Sequence, residues 1–258
     1  MIGFDYLGQN GRLANQMFQY AALRGIASYN NYDFCIPKTN FNDEWKDNKL
    51  FDVFELSNLK NIGHIFTSFY PEKQFRYDDE YVKNCPDNIS LHGYYQSEKY
   101  FNHIENDIRK DFTFHSHIFD PCEEMISEID SPISLHVRRT DYITDRNHTT
   151  LDLSYYEQAL NQFDLNRTVI VFSDDTDWCK TQNLFSSDRF MISENIDNAI
   201  DLCLMTLCSD HIIANSSFSW WGAWLANSNK VISPSTWFGP GNQHLETQDL
   251  IPENWTII

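Results

Sequence analysis

From Pro132 onward, short apolar runs alternate with helix-length segments, and this alternation constrains the fold more than any other feature. Runs at 132–137, 168–172, 189–192, 211–214 and 230–233 have strand length and end in polar clusters. Between them lie helical patterns at 178–183, 198–207 and 218–226, and one starting at Ser154-Tyr-Tyr-Glu157 with capping-box spacing. Strands alternating with helices predict a parallel, doubly wound sheet. Its strand ends carry Arg138-Arg139-Thr140-Asp141, Ser173-Asp174-Asp175 and Asn215-Ser216-Ser217. Such ends share one edge of the sheet, so the three clusters are expected to converge there.

The first half reads less regularly. An apolar stretch at 2–7 is broken by Gly8-Gln-Asn-Gly11 and followed by a helical pattern over 12–29, a βα opening. A Gly-x-x-Gly before a helix N-terminus suits an anion, and it also suits a tight turn. Arg12, Asn15 and Gln16 lie on the first turns of that helix. Short strands follow at 32–36, 62–67 and 89–92, with a solvated loop at 41–48. Ser97 is a fair N-cap for a helix running to about residue 109. His115, His117, Asp120 and Cys122 are too loosely spaced for a zinc signature and read as a solvated loop. Two α/β domains are expected, 1–120 and 121–258, with a cleft between them as the ligand site.

Composition narrows the function classes. A formal charge of -18 argues against nucleic acid, whose phosphates select basic faces. It also makes the adjacent cations Arg138 and Arg139 conspicuous. The six cysteines form no Cys-x-x-Cys and read as reduced, buried thiols. No apolar run approaches the ~20 residues that span a bilayer, and the N-terminus lacks a signal-peptide pattern. A cytoplasmic protein is expected, with peripheral association to an inner membrane face left open.

At a strand end, planar and permanently charged guanidiniums suit a pyrophosphate. The plainer reading is a surface arginine pair held by Asp141. The arginines and helix N-termini would supply the positive field without a metal. Asp174 and Asp175 divide between two expectations: one facing a ligand, the other capping the next helix. A metal held by this pair is the rival role. His136 lies within its strand, where packing and catalysis are equal readings. Trp220, Trp221 and Trp224 read as helix core rather than as a sugar platform.

Four stretches stand in order: Gly11-Arg-Leu-Ala-Asn-Gln-Met-Phe-Gln-Tyr-Ala21, His136-Val-Arg-Arg-Thr-Asp-Tyr142, Val171-Phe-Ser-Asp-Asp175 and Asn215-Ser-Ser-Phe-Ser-Trp-Trp-Gly-Ala-Trp-Leu225. Together with Gly93-Tyr-Tyr-Gln-Ser-Glu-Lys-Tyr-Phe101, this pattern resembles the bacterial α-1,2-fucosyltransferases of glycosyltransferase family 11. Thr140 and Ala14 stand where that family usually has glycine. The resemblance implies a GT-B architecture of two Rossmann-like domains, an acceptor-side domain first and a donor-binding domain second. It implies inverting, metal-independent transfer of L-fucose from the co-substrate GDP-fucose to the 2-hydroxyl of a galactose-terminated glycan, with no cofactor. Carried over residue by residue, Arg138 and Arg139 would bind the pyrophosphate and Asn15 would lie near a donor phosphate. His136, Asp174, Asp175, Ser216 and Ser217 complete the donor set. Asp141 is the first candidate for the base, with orientation of an arginine as its alternative role. Transfer to another position, or a non-catalytic binder on the same fold, are the competing readings.

Overall fold

The computed structural model describes residues 1–37, 49–63, 66–194, 197–226, 228 and 230–258. The chain divides into two compact units: Met1–His115 with Leu245–Pro252, and Ser116–His244 with Glu253–Ile258.

The described elements of the first unit are β1 (Ile2–Gly3), α1 (Leu13–Asn30), β2 (Phe34–Ile36), α2 (Leu50–Val53), β3 (Asn61–Ile62), β4 (Phe69–Pro71), α3 (Asp79–Lys83), β5 (Ser90–His92) and α4 (Glu105–Asp111). Its strands pair in parallel in the order β3-β2-β1-β5-β4. Helix α1 is buried almost all round, so its polar residues need internal partners. Gln19 Nε2 donates to the carbonyls of Asn10 and Gly93 at 3.0 and 3.1 Å. Arg24 meets Asp111, which is fully buried and also accepts from Tyr20 and from the backbone and side chain of Asn58. Gly25 is required by close approach, since a Cβ there would lie 1.9 Å from the Tyr100 carbonyl oxygen. The helix ends on Asn31 in the left-handed conformation (φ 56°).

Several expectations for this half change. The strand at 2–7 stops at Gly3, because Leu7 N turns back onto Phe4 O. Strand β3 ends at Ile62, and β4 was not read from the sequence at all. It is an edge strand ending in Pro71, where a missing N–H is tolerated. The helix expected from Ser97 is two 3₁₀ turns, Glu98–Tyr100 and Asn102–Ile104, before α4 begins. Phe101 and Tyr100 are buried against α1, which breaks the helical path, although Ser97 does cap the first turn. The loop expected at 41–48 lies outside the described residues.

The second unit contains α5 (Ser116–Ile126), β6 (Ile133–Val137), α6 (Leu153–Leu160), β7 (Val169–Ser173), α7 (Thr176–Thr181), β8 (Phe190–Ile192), α8 (Asn198–Leu207), β9 (Asp210–Ile212), α9 (Ser217–Ala226), β10 (Val231–Ser233) and β11 (Thr256–Ile257). All strands run parallel in the order β11-β10-β9-β6-β7-β8. Read from β8, this is the doubly wound Rossmann order, with its reversal between β6 and β9. Strand β6 is central and buried throughout; Leu135 pairs with Val171 on one side and Ile212 on the other. Strand β7, Val-Ile-Val-Phe-Ser, shows the near-continuous apolar run of a strand covered on both faces, whereas β6 also buries the polar Ser134 and His136. Trp220, Trp221 and Trp224 are core, stacking among themselves and on Trp255. That confirms the packing reading.

Three details differ here as well. The stretch read as a solvated loop around His115–Cys122 leads into α5, with Pro121 inside it and Ile118 and Cys122 buried. An interior proline ordinarily ends a helical pattern, so the sequence signal was masked. Ser154 lies inside α6; Asp152 occupies the cap position and makes no side-chain cap bond. Strand β11 extends the sheet beyond the run at 230–233.

Candidate active site

In a doubly wound sheet, ligands bind outside the carboxyl ends of the strands where the order reverses. In the second unit that point lies between β6 and β9, which end in Val137 and Ile212. The loops leaving β6, β7 and β9 therefore meet, as expected from the sequence. Asp174, after β7, accepts from Arg139 N at 2.9 Å and from the Thr140 hydroxyl, and lies 3.1 Å from Arg138 Nη1. Tyr142 OH donates to Asn215 O at 3.3 Å, joining the β6 and β9 loops.

The two arginines have different surroundings. Arg139 Nε donates to Asp175 at 3.2 Å, and its guanidinium lies 3.7 Å from the Trp178 ring centroid. Asp175 also caps α7 by accepting from Trp178 N. Arg139 is thereby fastened to the start of α7, and Asp175 fills the capping role. Arg138 makes two short bonds from Nη2 to Asp141, at 2.6 and 2.7 Å, and sits 5.2 Å from the Tyr142 centroid. Its Nε–H has no partner among the described residues. Asp141 is half exposed on a 3₁₀ turn, so an anion with more charge can replace it on Arg138.

His136 is buried, with Nδ1 2.9 Å from Ser219 Oγ. Burial, reinforced by Arg138, pushes its pKa down to about 3, so the ring is neutral at working pH. It ties β6 to α9. Asn215 is buried and donates to the carbonyls of Thr149 and Trp237, both at 2.9 Å. Its Oδ1 has no partner among the described residues. Ser216 Oγ accepts from Phe218 N, and Ser217 begins α9. Sequence reasoning passed over two members, Trp178 and Tyr142. Trp178 backs Arg139, while Tyr142 stacks on His148 with ring centroids 4.4 Å apart. Thr140 supplies a hydroxyl to Asp174 where a glycine could not, and its backbone is right-handed (φ -37°), so a side chain is accommodated.

In the first unit Asn15 stands on the opening turn of α1. Its Oδ1 accepts from Gln96 Nε2 at 2.9 Å, which orients the amide so that Nδ2 is the donor. Among the described residues no group of three or more His, Cys, Asp or Glu is arranged to hold a metal. His115 Nε2 instead meets Phe51 O at 3.0 Å, and Cys122 Sγ points to Ile200 O.

Two parallel Rossmann-like units, one with an arginine at its switch point, define a GT-B-type glycosyltransferase fold. NodZ alpha-1,6-fucosyltransferase soaked with GDP-fucose shares it (TM-score 0.56, 15% identity, 93% of this chain and 96% of that one). POFUT1 in complex with GDP-fucose does likewise (TM-score 0.56, 11% identity, 100% and 97%). The profile of Glycosyl transferase family 11 matches residues 6–258, and the chain belongs to that family. It is 29% identical to an alpha-1,2-colitosyltransferase of Escherichia coli, over 96% of each chain. It is 27% identical to the O-antigen biosynthesis glycosyltransferase WbnK of Escherichia coli, over 93% of this chain and 97% of that one. Human galactoside alpha-(1,2)-fucosyltransferase 1 is 27% identical over 86% of this chain and 65% of its own length. The protein is thus a glycosyltransferase of a fucosyltransferase family.

Proposed function

We propose that this chain transfers L-fucose from GDP-fucose to the 2-hydroxyl of a terminal β-galactoside, with inversion and without a metal. The observation that carries this reading is Arg138 at the second unit's switch point, braced by Asp174 and Asp141 with its Nε–H still open among the described residues. Transfer breaks the bond from the fucose anomeric carbon to the β-phosphate, and the electron pair leaves on GDP. The acceptor oxygen forms the new bond on the opposite face and loses its proton to a base. Charge therefore builds on the β-phosphate, where a fixed guanidinium stabilises the transition state most.

Residues 121–258 are the donor-binding part in this reading and 1–120 the acceptor side. Arg138 takes the pyrophosphate; Arg139 and Asp174 hold its loop in shape. Ser216, Ser217 and the first amides of α9 donate toward the nucleotide, and Asn15 is the first unit's candidate for binding a donor phosphate. Asp141 binds Arg138 through both oxygens, which favours an orienting role over that of base. The relatives named for O-antigen synthesis and galactoside transfer support a surface-glycan acceptor. No helix among the described residues is long and apolar enough to cross a membrane. We place the reaction in the cytoplasm, at or near an inner membrane face.

The test is incubation of the purified chain with GDP-fucose and a panel of galactose-terminated acceptors, with and without EDTA, followed by linkage analysis. A deoxyhexose on O2 of galactose, unaffected by EDTA, is the expected product. No transfer from GDP-fucose to any of these acceptors, or a different linkage, overturns the finer assignment. Activity abolished by EDTA overturns the metal-free mechanism.

A further inference from the structure

The first sheet has a switch point of its own, between β1 and β5. The turn leaving β5 is Gly93-Tyr94-Tyr95, and its construction is unusual. Glu72, one residue past β4, accepts from Tyr94 N at 2.8 Å and from Tyr95 N at 3.1 Å. No cation pairs with this carboxylate among the described residues. Gly93 is needed for the approach, because a Cβ there would stand 2.6 Å from Glu72 Oε2. Tyr95 is held in the left-handed region (φ 53°), which an L-residue adopts only when its surroundings enforce it. Its ring is fully buried between Phe4 and Tyr100, and its hydroxyl bonds Tyr81 at 2.7 Å. A second tie comes from Gln19, which holds the Gly93 carbonyl.

All of this fixes the backbone of the neighbouring residue, Tyr94, whose side chain is about half exposed. Tyr94 is 45% exposed beside a partly buried carboxylate, at the edge where sheets of this kind bind ligands. A rigid exposed ring next to a carboxyl group suits a pyranose. The ring takes the sugar's C–H face while the carboxyl oxygens accept from its hydroxyls. Galactose has such a face because its axial 4-hydroxyl lies on the other side.

We propose that Tyr94, mounted by Glu72, is a platform for the galactose ring of the acceptor. The assignment rests on the fucosyl-transfer reading for its choice of sugar. Tyr94 would be a binding residue and Glu72 the positioning residue behind it.

The experiment is saturation-transfer NMR of methyl β-galactoside and lactose with the full chain, paired with GDP titration and acceptor kinetics. Tyr94→Ala should weaken galactoside binding and raise the acceptor KM about tenfold, the loss of one aromatic contact. GDP affinity should stay within about twofold, since no nucleotide contact is removed. Tyr94→Phe keeps the ring and should behave as wild type. Glu72→Gln removes one of the two amide acceptors and should raise the acceptor KM while leaving GDP binding intact. Galactoside binding by Tyr94→Ala equal to wild type overturns the platform, as does a matching loss of GDP affinity. Tyr94-dependent galactoside binding without any transfer from GDP-fucose leaves the platform standing and sinks the donor reading. Transfer with an unchanged acceptor KM in Tyr94→Ala does the reverse.

Discussion

Both switch points lie where a parallel sheet reverses its strand order, and they carry opposite chemistry. In the second unit, two guanidiniums are locked among three carboxylates, Asp141, Asp174 and Asp175. In the first, one carboxylate clamps an aromatic turn through backbone amides. Parallel sheets with reversed strand order supply the crevice in both cases; the loops decide what can enter it. A pre-ordered cation at one edge suits a nucleoside diphosphate. A neutral ring beside a hydrogen-bond acceptor suits a sugar.

The comparison breaks most visibly at Arg138. Arg138→Ala should lower turnover on the order of 1,000-fold and weaken GDP binding, because it removes the field at the leaving group. Isothermal titration with GDP and steady-state kinetics measure both, and a variant with normal GDP affinity would refute the donor assignment.

At the other edge the effect is on stability. Burial pushes the Glu72 carboxyl up to about 7, against the two amides that favour its charged form. Tyr95 and Tyr100 are the titratable hydroxyls facing it, and neither ionises near neutrality. A carboxyl whose folded pKa is raised stabilises the fold fully below its unfolded value. That contribution fades as pH rises through about 7. The stability of wild type relative to Glu72→Gln should therefore fall by up to about 3 kcal/mol between roughly pH 4.5 and 8, then level off. A difference in denaturation midpoint that is flat with pH would show that Glu72 is not held in this way.

Next in size is Asp174→Asn, which leaves an acceptor for Arg139 N but weakens the hold on Arg138. A loss of about 10–100-fold in kcat/KM is expected, as for one charge-assisted hydrogen bond. If instead only thermal stability moves, Asp174 is scaffolding for the loop after β6 rather than a brace for Arg138 in the reaction. The smallest effect belongs to Asp141→Asn. It removes the partner that a pyrophosphate displaces, so GDP affinity should hold or improve by about two- to threefold, a modest electrostatic gain. Loss of turnover with intact GDP binding would return Asp141 to the role of base.

Much of the second unit was readable from sequence, because strand-length segments rich in Ile, Val, Leu and Phe, unbroken in β7 and interrupted by Ser134 and His136 in β6, recur between helical patterns. The meeting of the loops that carry Arg138, Asp174 and Asn215 followed from that alternation alone, since parallel strands share one carboxyl edge. The first unit was less readable. Its strands are two or three residues long, β4 closes an edge on a proline, and α1 is buried on every side. None of these leaves a clean period.

By itself, then, the amino-acid sequence determined the class of the second sheet, the family blocks and the residues gathered at its edge. Only the tertiary structure decided how labour divides among them. Whether Arg139 meets a ligand or Trp178, and whether a carboxylate holds an arginine or a helix, depends on contacts 35 residues or more apart. Glu72 shows the limit most clearly. Nothing in Pro71-Glu72-Lys73 marks it, because its role comes from backbone amides 22 and 23 positions away that reach it only once β4 and β5 have paired.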